Sequence, residues 1–358
     1  MTRRNIRIGA ALAGCILLWT GCIRTGALDP AITPDPVSPG SGPAAEAPIS
    51  FTAGSTLLRN DATKSGEIKT DFENTDCFYA YGTKTIGGVP SVMFNGDAVT
   101  YDGSAWDYSP HRFWDSNASV YDFLAVTGPS STSGIRLDGT NPLAIDVDYN
   151  ALVAQYDLMA ASHRRSSGNT SVVNLTFHHV LSAVDVTIYN DSPALDITLL
   201  SYGFRHIYTF GRLEAEAVGG DSPSISWDPQ SDATNTVLGS NPEPDASLPH
   251  VSEGSSSFYP ATTVTDLMVP QSLEVHGTAV PSLVLEYQYL DGTETVTVSN
   301  TITLSEIKMF GTDNFITEWS PGTRYHYELH LRMGGGIRIH VTTTEWDVIH
   351  AETPGLTI

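Results

Sequence analysis

The stretch from Asn174 to Asn190, NLTFHHVLSAVDVTIYN, constrains this chain more than any other. From Val180 the even positions read Val, Ser, Val, Val, Ile and the odd ones Leu, Ala, Asp, Thr, Tyr, so one face is more apolar than the other. Alternation of period two marks a strand, and neither helix caps nor helical spacing compete with it. Read as one piece, it is a strand of roughly 50 Å, at about 3.3 Å per residue. Such a strand covers a sandwich edge to edge, and it is expected to open a second β domain.

What precedes it divides into signal, tether and fold. Residues 1–22 read as an export signal: Arg3, Arg4 and Arg7 form a basic head, and Ile8 to Trp19 form an apolar run too short to span a bilayer. Thr20-Gly21-Cys22 closes it with small residues before a thiol, the pattern of a bacterial lipoprotein signal. Cys22 is then the expected acceptor of diacylglycerol and first residue of the mature chain. Leu12-Ala13-Gly14-Cys15 fits the usual lipobox better, but cutting at Cys15 leaves an apolar core at the bottom of the signal-peptide range, so Cys22 is preferred. The blander alternative is an ordinary signal peptide with a chance cysteine. Residues 23–48, rich in Pro, Gly, Ala and Ser, are expected to form an extended, disordered tether.

Losing the signal removes three arginines and no acid, which takes the formal charge from -22 to -25. Nucleic acid is an improbable partner for such a surface, and anionic lipid repels it except through an anchor. Besides the acceptor only Cys77 remains, so no intramolecular disulfide forms and zinc-finger chemistry is excluded. At 358 residues the chain suffices for two domains of ordinary size, placed at 49–168 and 169–358.

Both regions read as closely spaced strands. Cys77 to Gly82 is apolar and aromatic, Val92-Met93-Phe94 ends at Asn95-Gly96, and Tyr101-Asp102-Gly103 repeats that turn signal. Asn150 to Ala161 reads as a short helix or a disguised strand. Further on come Ile197 to Tyr208, Arg212 to Ala217 and Asp266 to Val269, and a hairpin of Ser282 to Leu290 with Thr293 to Ser299 on Asp291-Gly292. Gly219 to Ser257 carries six acids and no Lys or Arg, and is expected to be a solvated insertion with a short hairpin around Ile225 to Trp227. In the last hairpin, Tyr325 to Met333 and Ile337 to Thr344 place Tyr325, Tyr327, Leu329, Leu331, Met333, Ile337, Ile339 and Val341 on one core face. The fold class is therefore all-β, two antiparallel β-sandwich domains in tandem.

The catalytic inventory is thin: GxSxG, HExxH, the P-loop and GxGxxG after a strand are all missing. No enzymatic activity and no cofactor are expected. His326, Glu328 and His330 come nearest to a metal site, since period-two spacing puts three ligands in one column. If Met333 pairs with Ile337, His340 falls opposite His330 and enlarges the cluster. Alternating polar residues are also what the wet face of any sandwich shows, so the expectation is a solvated face without metal. Trp106, Tyr108, Phe113 and Trp114 could stack on a sugar, but aromatics near turns are more often packing, which is the expectation here. His178 and His179 point to opposite faces, so at most one reaches the core, where it needs a hydrogen-bond partner.

Five pieces in order, Trp106 to Trp114 with Tyr121 to Ala125, Leu175 to Ser182, Leu267 to Gln271, Trp319 to Tyr327, and Trp346, resemble the fimbrillin-like pilins of the Bacteroidetes, the Mfa-like and FimA-like group. The resemblance implies transthyretin-like Greek-key sandwiches and a subunit or tip protein of a surface fimbrium, located at the outer membrane and serving adhesion. It implies other fimbrial subunits as partners, with a host glycan or protein as a further ligand. It also implies cleavage after an N-terminal Arg, departure of the first strand, and filling of the groove by a strand of the next subunit. Ile49 to Leu58 is the matching strand and Arg59, directly after it, the expected maturation site; Arg24, the other Arg of the mature chain before Arg112, would only shorten the tether. Asp347 to Ile358 is short and broken by Pro354-Gly355, a poor donor strand, which fits a terminal subunit that accepts a strand without giving one. The alternative function is a stand-alone surface lipoprotein that binds a glycan or protein.

Overall fold

A computed structural model describes residues 47–53, 72, 76–128, 143–152, 156–192, 196–229, 246–248, 258–259, 265–275, 277–332 and 336–345. In chain order the first strands are β1 (Phe51–Ala53), β2 (Cys77–Ile86), β3 (Val89–Tyr101), β4 (Trp106–Asp107), β5 (Val120–Thr127), β6 (Ala144–Asn150), β7 (Met159–Ser166), β8 (Val173–Leu175) and β9 (His178–His179). Then come β10 (Ser182–Asn190), β11 (Ile197–Arg205), β12 (Phe210–Glu216), β13 (Ser224–Pro229), β14 (Ala246–Leu248), β15 (Phe258–Tyr259), β16 (Thr265–Met268) and β17 (Gln271–Ser272). The last are β18 (Ser282–Asp291), β19 (Glu294–Thr303), β20 (Glu318–Trp319), β21 (Thr323–Leu331) and β22 (Ile337–Glu345). Among the described residues the sole helical piece is the 3₁₀ turn Leu304–Glu306, so the chain is all-β as expected.

The largest sheet runs β4-β3-β2-β5-β7-β9. Alternate residues of β5 feed different cores: Tyr121, Phe123 and Ala125 join Phe51, Phe78 and Phe94, whereas Leu124 and Val126 join Tyr81, Tyr149 and Leu213. Burial on both faces explains why VYDFLAVT reads as a nearly continuous apolar run. A third core, with Val184, Ile188, Phe204, Trp319, Tyr327 and Leu329, lies between β14-β11-β18-β19 and β15-β10-β21-β22. The middle core draws Val147 and Leu158 from before residue 168 and Leu213 and Leu267 from after it, because β12 pairs along β6.

Asn174 to Asn190 is not one strand. It forms the end of β8, then β9 and β10, which pair with β1, β7 and β21 respectively. Phe177 enters the first core, Val180 and Leu181 the middle one, and Val184, Val186 and Ile188 the third. Period-two alternation reports which face a residue takes but not which strand it bonds to, so a chain stepping between sheets keeps its pattern. Nor are all pairings antiparallel, since β10 runs parallel to β21 and β1 to β8. Some 130 residues separate β10 from β21, ample for the crossover a parallel pair needs.

The turn at Asn95-Gly96 is misplaced by the sequence. β3 runs straight through it, and the hairpin closes on Gly87-Gly88 with φ of 57° and 83°. Positive φ at both central residues is what a two-residue turn of primed type requires. Gly96, at φ 81°, instead sits where the β2–β3 register shifts, as a bulge glycine does. Asn150 to Ala161 ends one strand and begins another, with no helix among its described residues. Ser224–Pro229 is a strand on β12, as the pattern around Ile225 to Trp227 anticipated, and Asp291-Gly292 closes the β18–β19 hairpin.

Candidate functional site

Two features of the fold bear on function: the socket that holds β1, and the polar face of the β21–β22 hairpin. Cys15, Cys22, Arg59, Met333, Trp346 and the tether up to residue 46 lie outside the described residues.

β1 is three residues long and, among the described residues, pairs only with the three residues of β8. Ile49 N donates to Arg112 O at 2.8 Å, Tyr108 Oη donates to Ile49 O at 2.8 Å, and Val173 N donates to Ser50 O at 2.8 Å. The apolar contact is larger than the ladder. Phe51, 3 % exposed, meets the rings of Phe78, Phe94, Tyr108 and Phe123 edge-on, with centroids 5.4 to 5.9 Å away. Phe51 is thus the plug of the first core. Ala47 and Pro48, counted with the tether in the sequence reading, are tied to the fold: Trp114 N donates to Ala47 O and Pro48 bridges to Phe113.

The recurrent sequence pieces prove to be fold-making. Trp114, Tyr108 and Trp106 pack inward as expected, whereas Phe113 is 48 % exposed. Trp319 Nε1 donates to the buried Tyr327 Oη at 3.0 Å, and Ser320 N donates to Tyr325 Oη at 2.9 Å. Gln271 clamps the connection between β11 and β12, its Oε1 accepting from Tyr208 N and its Nε2 donating to Tyr208 O. His179 is buried with its ring on Asp157 at 3.0 Å, while His178 faces outward to Ser222, as two successive strand residues must. An open pocket of about 410 Å³ beside them is lined by His178, Ser222, Ile225, Pro321, Thr323 and Glu345, without an aromatic platform.

On the β21–β22 hairpin the core face is as expected, with Tyr325, Tyr327, Leu329, Leu331 and Val341 buried. The register differs by two residues: Leu331 faces Ile337, so His340 falls opposite Glu328 and His330 opposite Arg338. β21 ends at Leu331 and β22 begins at Ile337, with Arg332 N donating to Gly336 O beyond the last pair. Triple glycine announces a turn without fixing its length, hence the shift. The polar face is also less wet than expected, since His326, Glu328, His330 and His340 are all half-buried. Tyr189 stacks on His330 at 4.8 Å and 12°, and Phe310 lies 4.4 Å from the His340 ring.

With this geometry in view, the family model described as fimbrillin-like matches residues 63–346. The chain belongs to the fimbrillin-like family. No curated protein matches it. Among solved structures it is similar to a candidate cell adhesion protein from Bacteroides uniformis, at 15 % identity over 85 % of this chain and 98 % of that one, TM-score 0.47. It is similar also to the tip fimbrial protein Mfa3 from Porphyromonas gingivalis, at 9 % identity over 76 % and 95 %, TM-score 0.38. A fimbrilin from Porphyromonas gingivalis aligns at 8 % identity over 86 % and 99 %, TM-score 0.42.

Proposed function

We propose that this chain is a structural or tip subunit of a surface fimbrium, exported as a lipoprotein on Cys22 and matured by cleavage after Arg59. In this reading the sandwiches 49–168 and 169–358 are its two tandem units, with the middle core as their joint. Loss of residues 22–59 takes β1 away, and a strand from the next subunit fills the vacated socket. The observation that carries the reading is the construction of β1. A short strand with one pairing partner inserts the central ring of a core, so its departure exposes both unpaired backbone groups and an apolar socket. A donor strand satisfies both at once, which is the logic of β-augmentation. The partners are other fimbrial subunits, with adhesion as the outcome and no catalytic role.

The test is to change Arg59 to Ala and to sequence the N-terminus of protein sheared from cells. The parent is expected to begin at Asn60 and to enter polymers, while the variant stays unpolymerised on its lipid anchor. If the variant polymerises as well as the parent, cleavage at Arg59 is not the switch.

A further inference from the structure

We propose that Glu328, His330 and His340 form a zinc site on the outer face of the β21–β22 hairpin. One ligand atom from each lies within 4.8 Å of the other two. Glu328 and His330 stand two apart on β21, hence on one face, and the observed register carries His340 across to them from β22. Two imidazoles and a carboxylate are the donor set of a borderline cation such as zinc, whereas calcium and magnesium prefer all-oxygen surroundings. His326, with Nε2 at 3.5 Å from Glu328 Oε1, stands beside the cluster as a further nitrogen.

A second observation separates this cluster from an ordinary wet strand face. His330 Nε2 is buried and has no hydrogen-bond partner. Its other nitrogen, Nδ1, is held by Asp191 Oδ1 at 3.0 Å, and the ring is fixed flat against Tyr189. A histidine on a wet strand face usually leaves no buried nitrogen idle. A metal-binding one does when the metal is away, and it typically rests its second nitrogen on a carboxylate, the part Asp191 plays. Zinc–ligand distances near 2.0 to 2.2 Å put tetrahedral ligands about 3.3 to 3.6 Å apart, so the three atoms draw together by at most about 1.5 Å, within reach of side-chain adjustment. β22 is the last strand of its sheet, so the ion would fasten an edge strand to its neighbour.

The test uses the chain purified without a polyhistidine tag and stripped by a chelator, with zinc alone as probe. The expected result is one zinc per chain by titration calorimetry and a melting temperature raised by roughly 5 °C at a hundredfold excess over Kd. Calcium and magnesium should give neither effect. His340→Ala and Glu328→Gln should abolish both effects, and Asp191→Asn should weaken affinity by about 10- to 100-fold. His111→Ala and Cys77→Ser should change nothing. The site is refuted if the parent shows no zinc-dependent shift, or if the shift survives in Glu328→Gln, which keeps the size of the side chain and so folds even where His340→Ala does not.

Discussion

Asp185 and Asp122 are both buried acidic side chains, with different hydrogen-bond surroundings. Asp185 accepts from Thr265 on β16 and from Arg324 on β21, which joins three strands. Asp122, on β5, has Arg164 Nε at 3.2 Å, but neither of its oxygens accepts a well-aligned hydrogen bond. Burial therefore pushes the Asp122 carboxyl above the usual carboxylate range, and Arg164 only partly opposes this. The sign of the linkage follows. A carboxyl whose value is raised on folding favours the fold while protonated, and that contribution is lost as pH rises through the folded value. Asp122→Asn removes the dependence, so the variant should gain on the parent from acid to neutral pH. Urea midpoints measured across that span check it, and a gap that fails to widen would mean Asp122 is not a strained ion.

At the scale of elements, Gly322 shows what spacing alone conveys. In Ser320-Pro321-Gly322-Thr323 the turn is plain from sequence, but its reason for being glycine is tertiary. Gly322 has φ 64°, its N donates to Leu181 O at 2.8 Å, and an added Cβ would stand 3.1 Å from His179 O. Gly322→Ala should cost about 1–3 kcal/mol for the left-handed backbone, and more where His179 O cannot yield. Gly87→Ala, at φ 57° with open space around it, should show the backbone cost alone. Chemical denaturation of the two variants makes the comparison, and equal losses would remove the role given to the His179 contact. Faces were legible throughout: Tyr325 to Leu331, the pair His178 and His179, and the Asp291-Gly292 hairpin follow from period two and turn chemistry. Partners were not. Nothing local in Asn174 to Asn190 says that its pieces bond to β1, β7 and β21, and nothing in Gly334-Gly335-Gly336 sets the register that brings His340 to Glu328.

For the molecule as a whole, Phe51 serves the first core and not the third. It is the hub of the first core, and no residue of 47–53 enters the third. Truncating a large buried aromatic costs about 3–5 kcal/mol, which in Phe51→Ala falls on a strand held by a three-residue ladder. If β1 is the strand that leaves on maturation, this loss lowers the cost of its departure rather than unfolding the whole chain. Phe51→Ala is then expected to be cut faster after Arg59 by an arginine-specific protease. Hydrogen exchange should lose protection in β8, whose Val173 N donates to Ser50 O, while β18 and β19 keep theirs. Adding a peptide that spans Ile49 to Leu58 to the cut protein should restore protection in β8, since it returns the ring and the backbone groups together. If cleavage is no faster and protection falls everywhere alike, β1 is an ordinary core strand, and the socket reading of assembly does not hold for this chain.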